Sequence, residues 1–150
     1  MTKSEAQEKI RNNLDARSNH SVVVTERITR VWWRVCNVAL FRNRLYPPNQ
    51  VVIKQLKDWG YCQITSDLKV IIAIDSELMT RGMFLSILVH EMVHQWENQT
   101  YGRMGHGERF INWKEKVQKQ LGLDIHIEAD EEDYAYGEKQ LYKRRHQSLK

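Results

Sequence analysis

Hydrophobic residues recur along the chain with two different periods, and the changes of period divide it into elements. Between Thr25 and Asn43, residues Ile28, Val31, Trp32, Val35, Val38 and Ala39 fall three and four positions apart, the spacing of a buried stripe on an α-helix. Thr25 stands where an N-cap belongs, its hydroxyl placed to accept from a free backbone amide of the first turn. Pro47-Pro48-Asn49 then forces a turn. Two short β-branched runs follow, Val51-Val52-Ile53 and Val70-Ile71-Ile72-Ala73-Ile74, with Gly60 and Ser66-Asp67 as punctuation between them. A weaker strand through Tyr61 to Thr65 would complete a small antiparallel sheet. From about Thr80 the helical period returns, with Phe84, Ile87, Leu88, Met92 and Trp96 as its stripe. Phe110, Trp113, Val117 and Leu121 predict a third amphipathic helix, closed by Gly122 as its C-cap.

The two ends differ from this middle. Residues 1 to 20 are polar, with Ile10 and Leu14 as a weak apolar pair, which predicts a loosely docked helix or a mobile arm. After residue 125 an acidic run (Glu128, Asp130, Glu131, Glu132, Asp133) gives way to a basic stretch from Lys139 to Lys150. The expected organisation is therefore an arm over 1–24, one folded domain over 25–125 and a charged tail over 126–150. Its class is α+β, a small antiparallel sheet packed with three main helices.

Composition narrows the reading further. A chain of 150 residues that is 41% hydrophobic and holds five tryptophans buries a core, which excludes a disordered protein. Its net charge of +4 permits contact with nucleic acid without demanding it. No apolar run is long enough to span a bilayer and the first residues form no signal-like segment, so a cytoplasmic location is expected. Cys36 and Cys62 lie far apart beside hydrophobic residues and form no C-x-x-C pair. Buried free thiols are expected, and no zinc ribbon or finger.

The chemistry concentrates in His90-Glu91-Met92-Val93-His94 and the following Gly105-His106-Gly107-Glu108-Arg109-Phe110. Histidines four apart on a helix point the same way, because four residues make slightly more than one turn. They can grip one zinc ion from one face, with Glu91 between them placed to act on a water at the metal. His106 is the expected third ligand. Its flanking glycines would let the backbone approach, and three protein ligands leave a position open for water, the mark of a catalytic zinc. His126 and Glu97 are the alternatives. His126 lacks flanking glycines, and Glu97 falls on the next turn, where a solvated carboxylate is expected. His20 and His146 lie in polar or terminal segments and read as surface residues.

With its paired motifs, His90-Glu91-Met92-Val93-His94 and His106-Gly107-x-x-Phe110, the chain resembles the SprT-like family of zinc metalloproteases, the Spartan type of catalytic domain. The Asn37-Val38-Ala39-Leu40-Phe41 segment fits the same pattern, and the likeness covers roughly residues 28 to 122. The resemblance implies a zincin-like fold, Zn2+ as cofactor, His90, His94 and His106 as its ligands, and Glu91 as general base and proton shuttle. Phe110 would be a core residue holding the loop that presents His106. Bacterial relatives usually add a cysteine ribbon, which these residues do not encode.

The function expected is zinc-dependent hydrolysis of peptide bonds in protein substrates, with DNA or DNA-bound proteins as further candidate partners. Two other classes compete. One is a nucleic-acid-associated module working through the basic tail, and the other a structural or assembly protein that keeps the fold with little turnover. Tyr101, Tyr134 and Tyr136 are candidates to assist the developing oxyanion, against a packing or surface role that the residue type favours. The acidic run over 128–133 reads as a solvated linker, with a self-inhibitory strap as the sharper alternative.

Overall fold

The computed structural model describes residues 1–14 and 21–125 of the chain. Among the described residues nine elements follow in order: α1 (Lys3–Leu14), β1 (Ser21–Val22), α2 (Glu26–Leu40), β2 (Gln50–Lys54), β3 (Gly60–Ile64), β4 (Val70–Asp75), β5 (Met79–Thr80), α3 (Arg81–Tyr101) and α4 (Glu108–Leu121). The α+β class expected from periodicity is the class observed.

Local chemistry explains the element boundaries. Thr25 Oγ1 accepts from Ile28 N at 3.1 Å and caps α2. Thr80 does the same for α3 through Met83 N at 3.2 Å. Gly102 and Gly122 end α3 and α4 in the left-handed conformation, φ +77 and +69, where a Cβ would be strained. After α2 the chain turns back through Arg42 and Asn43, both at positive φ. Asn37 locks that turn: its Oδ1 accepts from Leu45 N at 3.1 Å and its Nδ2 donates to Leu45 O at 3.2 Å.

The sheet corrects one expectation. Strand order is β2-β4-β3, with β3 antiparallel to β4 but β2 parallel to it, Gln50 opposite Ile71 and Lys54 opposite Asp75. The physical reason is that β4 inserts between its two predecessors. Residues 55–59 must cross a gap that β4 later fills, and Asp75 at the end of β4 secures the crossing. Its Oδ1 accepts from Leu56 N at 2.7 Å, and its backbone N donates to Trp59 O at 2.9 Å. As the central strand, β4 buries Val70, Ile72, Ala73, Ile74 and Asp75. A run without alternation is what a strand covered on both faces requires.

Of the two expectations for the N-terminal segment, the docked helix is the one seen over Lys3–Leu14. It is a helix whose Ala6 and Ile10 are completely buried, packed on α2 and touching α3 and α4. Gln7 Nε2 donates to Ala39 O at 3.1 Å and Arg11 to Gln120 O at 3.0 Å. Its docking face is Ala6, Ile10 and Leu14, one residue per turn.

At the centre lies α3, buried nearly all round from Met83 to Val89 and again at Met92 and Val93. A helix covered on every side needs neighbours on every side, and α1, α2, α4, β3, β4 and β5 supply them. Gln95 is its buried polar tie: Nε2 donates to Tyr46 O at 2.6 Å, and Oε1 accepts from Trp33 Nε1 at 3.4 Å. Ser86 Oγ donates to Asp124 O at 2.6 Å, fastening the segment that follows α4, where Leu123 and Ile125 are buried.

Candidate metal centre

Three imidazoles meet at one point. His90 and His94 project from successive turns of α3, with their Nε2 atoms 3.0 Å apart. His106, in the loop between α3 and α4, brings its Nε2 to 3.1 Å from His94 and 3.2 Å from His90. Fully buried Phe110, in the first turn of α4, forms the floor. Its ring centroid lies 4.7 Å from that of His90, 5.3 Å from His94 and 4.9 Å from His106. Phe110 was expected as core support for the loop; in the fold it supports all three imidazoles. His90 is half-buried, His94 buried and His106 exposed, so the cluster opens toward solvent on the His106 side.

This donor set fits a tetrahedral zinc. Ligand nitrogens about 2.0–2.1 Å from zinc stand about 3.3 Å from one another in a tetrahedron, close to the three separations observed. Nε2 atoms at these separations can share a proton in pairs, whereas a single metal ion would accept all three lone pairs at once. Burial, with His106 adding, depresses His94 to about 4, which keeps that ring neutral, the form that ligates. His94 Nδ1 is buried without a hydrogen-bond partner among the described residues.

Glu91, between the two histidines on α3, packs against the first residue of β3. It is buried, and Gly60 makes its seat: a Cβ there would stand 3.3 Å from Glu91 Oε2, 3.1 Å from Ile87 Cγ2 and 2.8 Å from Ala73 O. Only glycine allows the strand so close. From the sequence Gly60 reads merely as punctuation; its signal is its place as the first residue of a strand that must pass under the helix. Burial, with the Asp58 carboxylate adding, pushes Glu91 up to about 8. Burial likewise pushes the neighbouring Cys62 thiol up to about 12, with Glu91 adding. Both thiols are free, as expected; Cys36 is fully buried and Cys62 only partly so.

The remaining sequence candidates sort themselves by position. Among the described residues that could share a metal, the group is His90, His94 and His106. Glu97 is not solvated as expected. It is buried beneath the loop, with Oε1 4.0 Å from where a Cβ on Gly105 would stand. The glycines beside His106 do not serve a close approach either. Gly107 has φ −81, and a Cβ on it would meet nothing within 4 Å. Tyr101 has its ring engaged in packing, beneath the Arg109 guanidinium at 3.6 Å and edge-on to Trp96 at 5.7 Å. His20, His126, His146, Tyr134, Tyr136, the acidic run and the basic tail lie outside the described residues.

No helix among the described residues is long and apolar enough to cross a membrane. No similar protein was found among curated sequences. Compared with known families, residues 29–130 match the SprT-like family. That span runs from within the first turn of α2 past the end of α4 and contains both halves of the histidine cluster. The chain belongs to the SprT-like family, whose general property is a zinc-metalloprotease type of domain.

Proposed function

We propose that this chain is a zinc-dependent metallopeptidase that hydrolyses peptide bonds in protein substrates. The observation that carries the reading is the meeting of three imidazole Nε2 atoms within 3.2 Å of one another on a surface open to solvent. In this reading His90, His94 and His106 would hold zinc through their Nε2 atoms. Bound there, zinc supplies Lewis acidity, acidifying a water and polarising a peptide carbonyl. Glu91 is the general base, in its ionised form, which the charge of a bound zinc would favour against the burial that raises its pKa. A carboxylate oxygen takes a proton from the attacking water and passes it to the departing amine nitrogen, so that peptide and water become acid and amine. Its seat against Gly60 and Ile87 restricts the side chain, which spares the proton transfer a search for geometry. The family resemblance extends the substrate class to DNA-associated proteins, and the net charge of +4 suits such a setting.

Two variants test the reading. Wild-type protein should purify with stoichiometric zinc, and His106→Ala should lose most of it. Glu91→Gln should keep zinc and fold while abolishing cleavage of an unfolded protein substrate. Unchanged zinc in His106→Ala would overturn the ligand set. Cleavage that survives in Glu91→Gln would remove Glu91 from the mechanism, and a zinc-loaded wild type without cleavage would favour the structural alternative.

A further inference from the structure

The loop that carries His106 is built to be loose. Residues 102–107 include Gly102, Gly105 and Gly107, and glycine gives up more chain freedom on ordering than any other residue. Its backbone hydrogen bonds lie at the margins: Gly102 N donates to Asn98 O at 2.8 Å and Ile111 N to Gly107 O at 3.1 Å. Yet His106 must stay within about 0.5 Å of its position to share a ligand with two imidazoles on a rigid helix.

A contact across the base of the loop supplies the constraint. Tyr101 is the last residue of α3 and Arg109 the second of α4. The Arg109 guanidinium lies 3.6 Å over the Tyr101 ring, and Arg109 forms no ion pair among the described residues. From there the rings run inward. Trp96 meets Tyr101 at 5.7 Å and Trp113 at 5.3 Å, and Trp113 stacks on Phe41 at 4.6 Å. Trp113 and Phe41 are buried, so the exposed stack is anchored to the core.

We propose that the Arg109–Tyr101 stack is a positioning clamp that closes the loop 102–107 and holds His106 within reach of His90 and His94. Neither residue touches the reacting atoms; both act through His106. The metal-dependent part of this inference rests on the proposed function, while the closure of the loop does not.

The experiment is a double-mutant cycle with Arg109→Ala, Tyr101→Ala and the double variant, reading zinc affinity by chelator competition. A half-exposed cation–π pair predicts a rise in the zinc dissociation constant of about two- to fivefold for each single variant, and little further rise in the double. Tyr101→Phe should behave as wild type, because the ring face remains. Arg109→Lys should restore only part, because an ammonium lacks the flat guanidinium. In parallel, amide exchange of residues 103–107 in metal-free protein should quicken in Arg109→Ala while exchange in α3 does not change.

Wild-type protein that binds no zinc would sink the metal reading, and the metal-free exchange comparison would then decide the clamp by itself. Zinc affinity and loop exchange both unchanged in the alanine variants would overturn the clamp and leave the metal reading standing. Additive losses in the double variant would also overturn it, since two residues that act as one contact cannot be lost twice.

Discussion

Phe110 is fully buried and its ring lies 4.7 to 5.3 Å from all three imidazoles. Truncating it opens a cavity directly beneath them, so Phe110→Ala should lose about 3–5 kcal/mol of stability by urea denaturation and weaken zinc binding as well. A loss below about 1 kcal/mol would show that the floor can collapse without it, contrary to the usual cost of an emptied aromatic site. At this scale much of the centre was legible, because i, i+4 spacing alone brings His90 and His94 together. The part played by Gly60 was not. Its need for a bare Cα comes from Ala73, Ile87 and Glu91, residues of two other elements that become neighbours only in the fold. Glu97 misled for the converse reason: a carboxylate reads as solvated until a loop is known to cover it.

Single side chains fix how the elements meet, and Asn37 illustrates it. From inside α2 it satisfies both backbone groups of Leu45, at 3.1 and 3.2 Å, while Arg42 and Asn43 bend between them at φ 53 and 58. Asn37→Ala would leave buried groups of Leu45 without partners, costing about 1–3 kcal/mol. Thermal unfolding checks this, and a variant as stable as wild type would mean that the turn holds itself. The extents of α2, α3 and α4 follow from apolar spacing and caps, which are local. Strand pairing is not local. The strands over 50–54, 60–64 and 70–75 stand close to where β-branched runs place them, yet nothing within them says that β4 enters between the other two. Unbroken apolarity in Val70–Ile74 was the available hint of a strand covered on both sides. Ala6 was the missed clue in α1: small enough to look neutral, it sits one turn before Ile10 on the face that docks.

For the whole molecule, the centrality of α3 ties stability to the site, and buried thiols make that stability depend on alkaline pH. Cys36 lies on α2 with no exposure, and burial pushes its thiol from 9.0 up to about 12. The native state therefore keeps this proton where the unfolded chain has released it. Below the unfolded pKa both states hold the proton and pH has no effect through this group. Between about 9 and 12 the unfolded state binds fewer protons, so stability falls with rising pH, by about 1.4 kcal/mol per pH unit for one such group. Lysine and tyrosine titrations overlap this window, so the informative quantity is a difference between two proteins. Cys36→Ala should lose a fixed amount of stability to its cavity below pH 9. Above that, the gap between wild type and variant should narrow steadily, because the variant has no thiol to ionise on unfolding. Urea denaturation of both proteins from pH 7 to 11 measures it. Parallel curves across that range would mean that the Cys36 thiol is as free to ionise in the folded protein as in the unfolded chain, and that the packing of α2 against α3 is looser than described.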